Sequence, residues 1–240
     1  MKYYKTYYQR NLPHYHPEGY ALFVTFRLIN SLPLHIIKEL QEKNDKLLKH
    51  ISGISDKRIK SEFYREHHQN YFEEFDGWLD RYKESPRWLG NANAANVVKE
   101  AIHFNDDKDY ELLAFTIMPN HVHIVFTPIV DRDSSRSRIQ DAEKEKKLRN
   151  GNDINVVLQD RSISLVADIL RKIKGSTARE CNKILSRTGA FWQHESYDHV
   201  IRDEIELKHI VEYVLNNPVK ARLCEKWEDW AHSYCNFEKM

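Results

Sequence analysis

The fold is decided by two apolar runs on either side of a Pro119-Asn120 break: Tyr110-Glu-Leu-Leu-Ala-Phe-Thr-Ile-Met118 before it and His121-Val-His-Ile-Val-Phe-Thr127 after it. Both runs are rich in β-branched and aromatic residues, and a proline next to an asparagine is typical of a turn. The pattern predicts a β-hairpin. Successive side chains of a strand point to opposite faces, so His121 and His123 would share one face and Val122 would lie on the other.

The elements around this hairpin follow from hydrophobic periodicity and from capping residues. The sequence predicts a strand at 20–28, two long helices within 33–84 that meet near Ser52-Gly53, a third helix at 94–104, a helix after a cap at Ser162 or Ser164, a strand at 191–201, and a last helix from Glu204 to about Asn216 that Pro218 stops. Without the helical block, the order is strand, insertion, strand, strand, helix, strand, helix. We therefore predict an α+β fold with a ferredoxin-like (RRM-like) antiparallel sheet.

We expect one domain over residues 1–240, with a helical insertion at about 33–104 between the first two sheet strands. The stretch at about 131–160 is mostly charged or small and polar, and such a composition buries too little apolar surface to order itself. We interpret it as a mobile loop.

Composition excludes several classes of protein. The 240 residues carry 37 Lys+Arg and 36 Asp+Glu, a net charge of +1, so any surface for nucleic acid must be local. No apolar run is long enough for a membrane helix and the start lacks a secretory signal, which predicts a soluble cytoplasmic protein without a membrane partner. Cys181, Cys224 and Cys235 form no CxxC pair, and no glycine-rich phosphate loop is present.

Two imidazoles at alternate positions of a strand provide half of a site for a divalent metal ion. With 13 histidines in the chain, such pairs also arise by chance, as His14 and His16 between two prolines illustrate. His121 and His123 are therefore either metal ligands or two histidines on a half-exposed sheet face.

The last predicted helix carries polar groups beside its apolar stripe. Tyr213 lies four residues after His209 and four before Asn217, so a hydroxyl, an imidazole and a carboxamide share one side of the helix. A surface tyrosine with a capping asparagine would give the same pattern.

Taken together and in order, three motifs resemble the HUH single-tyrosine transposases, most closely their REP-associated branch: Met118-Pro-Asn-His-Val-His123, Asp198-His-Val-Ile-Arg202 and Tyr213-Val-Leu-Asn-Asn-Pro218. The similarity covers a little under half of the chain. It implies that His121 and His123 bind a divalent metal ion, Mg²⁺ or Mn²⁺, and that Asn217 completes the metal site. It also implies that Tyr213 is the nucleophile, and His209 is a candidate for the base that activates it.

The implied activity is metal-dependent cleavage and rejoining of single-stranded DNA, at sites that contain a hairpin, through a 5′-phosphotyrosine intermediate. DNA contacts are predicted for basic residues of the penultimate helix and for the N-terminal leader, namely Arg171, Lys172, Lys174, Arg179, Arg10 and Tyr15. A non-catalytic RRM-like nucleic-acid-binding module and a metal-dependent hydrolase without a covalent intermediate are the alternatives. The sequence does not decide between a monomer and a homodimer.

Overall fold

A computed structural model describes residues 7–9, 13–15, 19–129 and 165–239. The strands are β1 (Tyr7–Gln9), β2 (Pro13–Tyr15), β3 (Leu22–Leu28), β4 (Tyr110–Ile117), β5 (His121–Pro128), β6 (Trp192–Val200) and β7 (Ser233–Cys235). The helices are α1 (Leu34–Ser52), α2 (Lys57–Arg81), α3 (Ala92–Asn105), α4 (Leu165–Ile184) and α5 (Glu204–Lys220).

The main sheet has five antiparallel strands in the order β6-β3-β5-β4-β7. The chain forms β3, then a helical crossover to β4, and β5 returns between these two strands, which is the split βαβ arrangement of a ferredoxin-like fold. This confirms the predicted fold class and the predicted hairpin. The sequence analysis did not predict β7, which has only three residues, or the separate two-stranded sheet of β1 and β2.

One face of the sheet packs against α3 and α4. Alternate residues of the central strands point to this face, and they are fully buried against aliphatic residues of the two helices. The set includes Leu22, Val24, Phe26, Val122, Ile124, Phe126, Val98 and Ile173. Burial of these side chains is the main contribution to stability on this face, at about 1.5–3 kcal/mol for each large side chain.

The opposite face carries His121 and His123 and is covered by α1, α2 and α5. Its apolar cluster joins Phe23 and Val125 of the sheet to residues of all three helices, among them Ile36, Leu40, Tyr71, Phe72, Val211 and Val214. The predicted insertion at 33–104 therefore contains two kinds of element. Helix α3 is the crossover of the ferredoxin-like core, whereas α1 and α2 cover the histidine face.

Side-chain caps explain where three helices begin. Asp56, Asn91 and Asp203 each accept hydrogen bonds from backbone N–H groups in the first turn of α2, α3 and α5. The prediction that Pro218 stops the last helix was wrong, because α5 continues to Lys220. A proline near a helix end removes one backbone donor, and the Ala221 N–H still bonds the carbonyl of Asn217.

Some predictions concern residues outside the described part of the chain. They are the mobile loop at about 131–160, the cap at Ser162 or Ser164, the His14 and His16 side chains, Arg10, and the side chain of Tyr15. Among the described helices, none is long and apolar enough to cross a membrane. Cys181, Cys224 and Cys235 are free thiols.

Candidate metal centre and nucleophile

His121 and His123 lie on the same face of β5, as the alternation predicts, and both are fully buried. Their Nε2 atoms are 3.0 Å apart. Backbone pairing fixes this position, because β5 is the central strand and is hydrogen-bonded to both β3 and β4. A half-exposed sheet face is therefore excluded for these histidines.

The Nδ1 atoms of both rings are occupied by neighbouring side chains. Thr25 Oγ1 lies 2.7 Å from Nδ1 of His123, and Asn120 Oδ1 lies 2.7 Å from Nδ1 of His121. Nδ2 of Asn120 donates to the carbonyl of Leu79. Because a carbonyl can only accept, the nitrogen of the Asn120 amide faces Leu79 and its oxygen faces His121. His121 Nδ1 must then carry the hydrogen, and the lone pair of its Nε2 points to the cluster.

The third group of the cluster is Asp76, from helix α2. Its Oδ1 lies 3.4 Å from Nε2 of His121 and 3.2 Å from Nε2 of His123. The side chain is 1% exposed, and Oδ1 has no hydrogen-bond partner among the described residues. The three groups offer ligand atoms that all lie within 4.8 Å of one another. Asp76 was not among the site residues predicted from the sequence.

Burial and charge act in opposite directions on the ionisable groups. Burial disfavours the charged form of Asp76, but electrostatic interaction with the rings of His123 and His121 and a hydrogen bond from Tyr213 hold its pKa well below the ordinary value. Burial, with the neighbouring His123, lowers the pKa of His121 to about 3. A carboxylate beside a neutral imidazole is the form in which both groups bind metal ions.

Tyr213 and Asn217 come from one side of α5 and meet the same carboxylate. The Tyr213 hydroxyl donates to Asp76 Oδ2. Asn217 Nδ2 lies 2.9 Å from Asp76 Oδ2, 3.2 Å from His123 Nε2 and 3.4 Å from the Tyr213 hydroxyl. Burial and the nearby Asp76 raise the pKa of Tyr213 above its ordinary value. The phenol is therefore protonated at neutral pH in this arrangement, and its hydrogen is donated in a hydrogen bond to the Asp76 carboxylate.

The donor set fits a divalent cation. Two imidazole nitrogens and a carboxylate oxygen suit first-row divalent ions. Oδ1 of Asp76 and Oδ1 of Asn217 are both buried without a hydrogen-bond partner within the described residues. A buried acceptor without a partner lowers the stability of the fold unless a cation or a donor binds it. Asp76, His121 and His123 would hold the ion, and the side chain of Asn217 lies beside them, with its Nδ2 3.2 Å from His123 Nε2.

Asp80 lies one helical turn after Asp76 and is partly buried. Burial, with the negative charge of Asp76, raises the pKa of Asp80 to about 6. It is not one of the three grouped ligands. It therefore provides a matched comparison for Asp76 on the same helix.

The remaining predicted site residues lie elsewhere. His209 lines a cavity together with Tyr213, but the hydrogen-bond acceptor of the Tyr213 hydroxyl is Asp76. The four basic residues lie on α4, which packs against the other face of the sheet. Arg171 pairs with Asp168, Lys172 with Asp109, and Lys174 donates to the carbonyls of Gln193 and His194, while Arg179 is exposed. They are not part of the cluster, and their DNA contacts stay a prediction.

Replacing Thr25 by valine should weaken Mn²⁺ binding by about 10- to 100-fold, because the hydroxyl that orients the ring of His123 is lost while the shape is kept. Calorimetric titration with Mn²⁺ measures this. Thr116→Val is the matched control. Thr116 of β4 lies opposite His123 in the strand register, but its hydroxyl is hydrogen-bonded to that of Ser233 and not to the ring of His123. Equal affinities for the two variants would contradict the role of Thr25.

A second polar cluster joins the end of β6 to the start of α5. Glu206 accepts hydrogen bonds from His199 Nε2 at 2.8 Å and from the Arg202 backbone N–H at 2.7 Å. Burial alone would raise the pKa of Glu206, but these two donors lower it below its ordinary value of 4.5. The carboxylate form therefore stabilises this junction.

Glu206→Gln should lower the free energy of unfolding at pH 7 by about 1 kcal/mol, a figure reduced for partial exposure. A carboxyl with a lowered pKa stabilises the fold above its ordinary pKa of 4.5, and this contribution is lost as pH falls through the folded-state pKa. The difference between the wild type and the variant should therefore shrink below that pH. Urea unfolding at several pH values measures it, with exposed Glu204→Gln as the control.

Comparisons with known proteins agree with the motifs. The chain is 25% identical over 129 residues to a Haemophilus influenzae protein whose name is given provisionally as REP-associated tyrosine transposase, covering 52% of this chain and 58% of that protein. It is 29% identical over 108 residues to an uncharacterized protein of the same organism, covering 44% and 52%. The chain thus matches little more than half the length of these relatives.

No protein-family model matches this chain. A solved structure of a REP-associated tyrosine transposase bound to a REP hairpin aligns with a TM-score of 0.47 and 17% identity, covering 97% of this chain and 82% of that one. The similarity to the first Haemophilus influenzae protein confirms the resemblance to the REP-associated branch of the HUH single-tyrosine transposases.

Proposed function

We propose that this chain is a metal-dependent enzyme that cuts and rejoins single-stranded DNA through a 5′-phosphotyrosine intermediate, at sites that contain a hairpin. The observation that carries the proposal is the position of Asp76. This one carboxylate faces both histidines through Oδ1 and accepts the hydroxyl of Tyr213 through Oδ2. A candidate nucleophile and a candidate cation site are therefore in direct contact. The similarity to a transposase relative supports DNA as the substrate.

The chemistry assigned to Tyr213 is attack on a phosphodiester. Its oxygen forms a bond to phosphorus, the bond from phosphorus to the 3′-oxygen breaks, and the departing oxygen becomes a 3′-hydroxyl. The phenol hydrogen passes by way of Asp76 Oδ2, its hydrogen-bond acceptor, to the departing 3′-oxygen, so Asp76 ends the step as the carboxylate that its lowered pKa favours. In this respect Asp76 takes the role that the sequence suggested for His209. Reversal of the same steps by another 3′-hydroxyl rejoins the DNA without an external energy source.

Asn217 has a positioning role in this proposal. Its Nδ2 donates to Asp76 Oδ2 at 2.9 Å, which keeps the carboxylate turned towards the histidines. A bound Mg²⁺ or Mn²⁺ would neutralise negative charge on the non-bridging phosphate oxygens and orient the phosphate. His121, His123 and Asp76 would hold it, with the side chain of Asn217 beside them.

Incubation of the protein with Mn²⁺ and labelled single-stranded DNA that contains a hairpin tests the proposal. The expected product is a protein-DNA adduct that survives denaturant, together with a fragment that ends in a 3′-hydroxyl. Cleavage without an adduct would instead indicate a hydrolase. Binding without cleavage would indicate a non-catalytic nucleic-acid-binding module.

A further inference from the structure

A cavity of about 410 Å³ opens beside the candidate nucleophile. Tyr213 forms part of its wall, and the rings of Phe23, Phe72 and Tyr197 contribute the aromatic part. These rings contact one another, with centroids 4.7 Å apart for Phe23 and Phe72 and 5.0 Å apart for Phe72 and Tyr197. The size falls within the roughly 300 to 1,000 Å³ range of small-molecule pockets. A flat apolar ring fits such a wall.

The polar part of the wall is acidic. Glu73, Asp203 and Glu206 line the cavity together with His199, which bonds Glu206, and His209, and among the described residues that line it there is no lysine or arginine. A phosphate group would meet three carboxylates there and would be repelled. The cavity therefore favours a neutral group that donates hydrogen bonds over an anion.

The carboxylates have acceptor capacity beyond their internal bonds. Glu206 accepts one hydrogen bond at each oxygen, and Asp203 Oδ1 accepts from the backbone of Glu206. A carboxylate offers about four lone-pair positions, so acceptor positions remain on both side chains. Acidic side chains accept from the exocyclic amino group of cytosine in protein–DNA complexes.

We infer that this cavity binds one unstacked nucleobase that bears an exocyclic amino group, next to the phosphate that Tyr213 attacks. The inference rests on the proposed function and adds to it a determinant of DNA specificity. Aromatic rings stack on the base, and the carboxylates at the start of α5 and on α2 accept from its amino edge. Thymine, which has carbonyl oxygens in place of an amino group, is disfavoured.

Two conservative changes remove two of the three carboxylates of the wall and keep the fold. Asp203→Asn keeps a good helix cap, because asparagine and aspartate cap helices about equally well. Glu73 is exposed on α2, so Glu73→Gln changes charge but little packing. Glu204→Gln is the matched control, since Glu204 is exposed in the first turn of α5 and does not line the cavity.

The test begins with binding, so that it does not depend on cleavage. Tyr213→Phe protein, which keeps the ring but not the hydroxyl, selects single strands from a pool in which a fixed hairpin is flanked by randomised nucleotides. We expect one flanking position at which thymine is depleted severalfold relative to adenine, cytosine and guanine. An abasic nucleotide at that position should weaken binding by about tenfold or more in fluorescence anisotropy.

The variants and the wild type then decide the inference. The thymine depletion should disappear when Asp203→Asn and Glu73→Gln are combined, and persist with Glu204→Gln. A selected pool without such a position, or a depletion that survives the double change, would overturn the inference. With wild type and Mn²⁺, an adduct joined next to that position supports both proposals. An adduct without any base preference contradicts only the pocket, and base preference without an adduct contradicts only the proposed enzyme activity.

Discussion

Tyr213→Phe should abolish the covalent protein-DNA adduct, with a fall in its rate of formation of at least about 1,000-fold, the scale on which loss of a nucleophile acts in enzymes. The phenyl ring keeps its contact with Phe72, at a centroid distance of 5.2 Å, so the packing of α5 is retained. What is lost is the oxygen that forms the bond to phosphorus. Denaturing electrophoresis of labelled DNA after incubation with Mn²⁺ measures the adduct.

The matched control is Tyr20→Phe, a change of the same atoms at an exposed tyrosine of the chain. This variant should form the adduct at the wild-type rate. The Tyr213→Phe protein should still bind Mn²⁺, because neither histidine nor Asp76 is changed. Adduct formation that is unaffected by Tyr213→Phe would refute the assignment of the nucleophile.

Asp76→Asn should weaken Mn²⁺ binding by at least about 100-fold. This is the upper end of the loss in metal affinity seen when a residue that only orients a ligand is changed, and loss of a ligand should cost at least as much. The variant loses the negative charge that faces both histidines, at 3.2 Å and 3.4 Å from their Nε2 atoms. A ligand that binds the folded state raises its stability, so the variant should also lose the rise in Tm that Mn²⁺ gives the wild type. Calorimetric titration and thermal unfolding measure the two effects.

Asp80→Asn is the comparison for this change, because it removes the same charge one turn along α2 from a residue outside the grouped ligands. We expect its Mn²⁺ affinity to stay within about fivefold of the wild type, since a charge that is not a ligand acts only through partly screened Coulomb forces. If the two variants bound Mn²⁺ equally, Asp76 would not be a ligand.

The histidine pair could be predicted from the sequence because a strand has a strict period of two. Once 121–127 is read as a strand, His121 and His123 must share a face. The apolar residues on either side of them indicate that the strand is buried. In the same way, the helical period places Asn217 beside Tyr213, and their side chains are 3.4 Å apart in the structure.

Asp76 could not be placed by such local periods, because its partners lie 45 or more residues further along the chain. A signal was nevertheless present. Phe72 and Leu79 form an apolar stripe on α2, and Asp76 falls on the same stripe. A carboxylate among buried apolar residues needs a partner, and this requirement could have identified it. Which partner it meets depends on how α2 packs on the sheet, and no local pattern contains that information.

The basic residues of α4 illustrate the opposite limit. The alternation of apolar and charged residues correctly predicted this helix, but charge alone does not indicate which side of a sheet a helix covers. Helix α4 packs beside α3, away from the two histidines. That the basic residues of α4 lie on the other side of the sheet from the histidine cluster is seen only from the structure.

The groups of the cluster come from three well-separated segments, α2, β5 and α5, and this has a consequence for the chain during its synthesis. While the ribosome has not yet released Tyr213 and Asn217, the nascent chain lacks both the phenol and the carboxamide that meet Asp76. A chain that ends before α5 therefore contains the three grouped ligands but lacks the candidate nucleophile. Under the proposed activity, an unfinished chain could therefore form no covalent link to DNA.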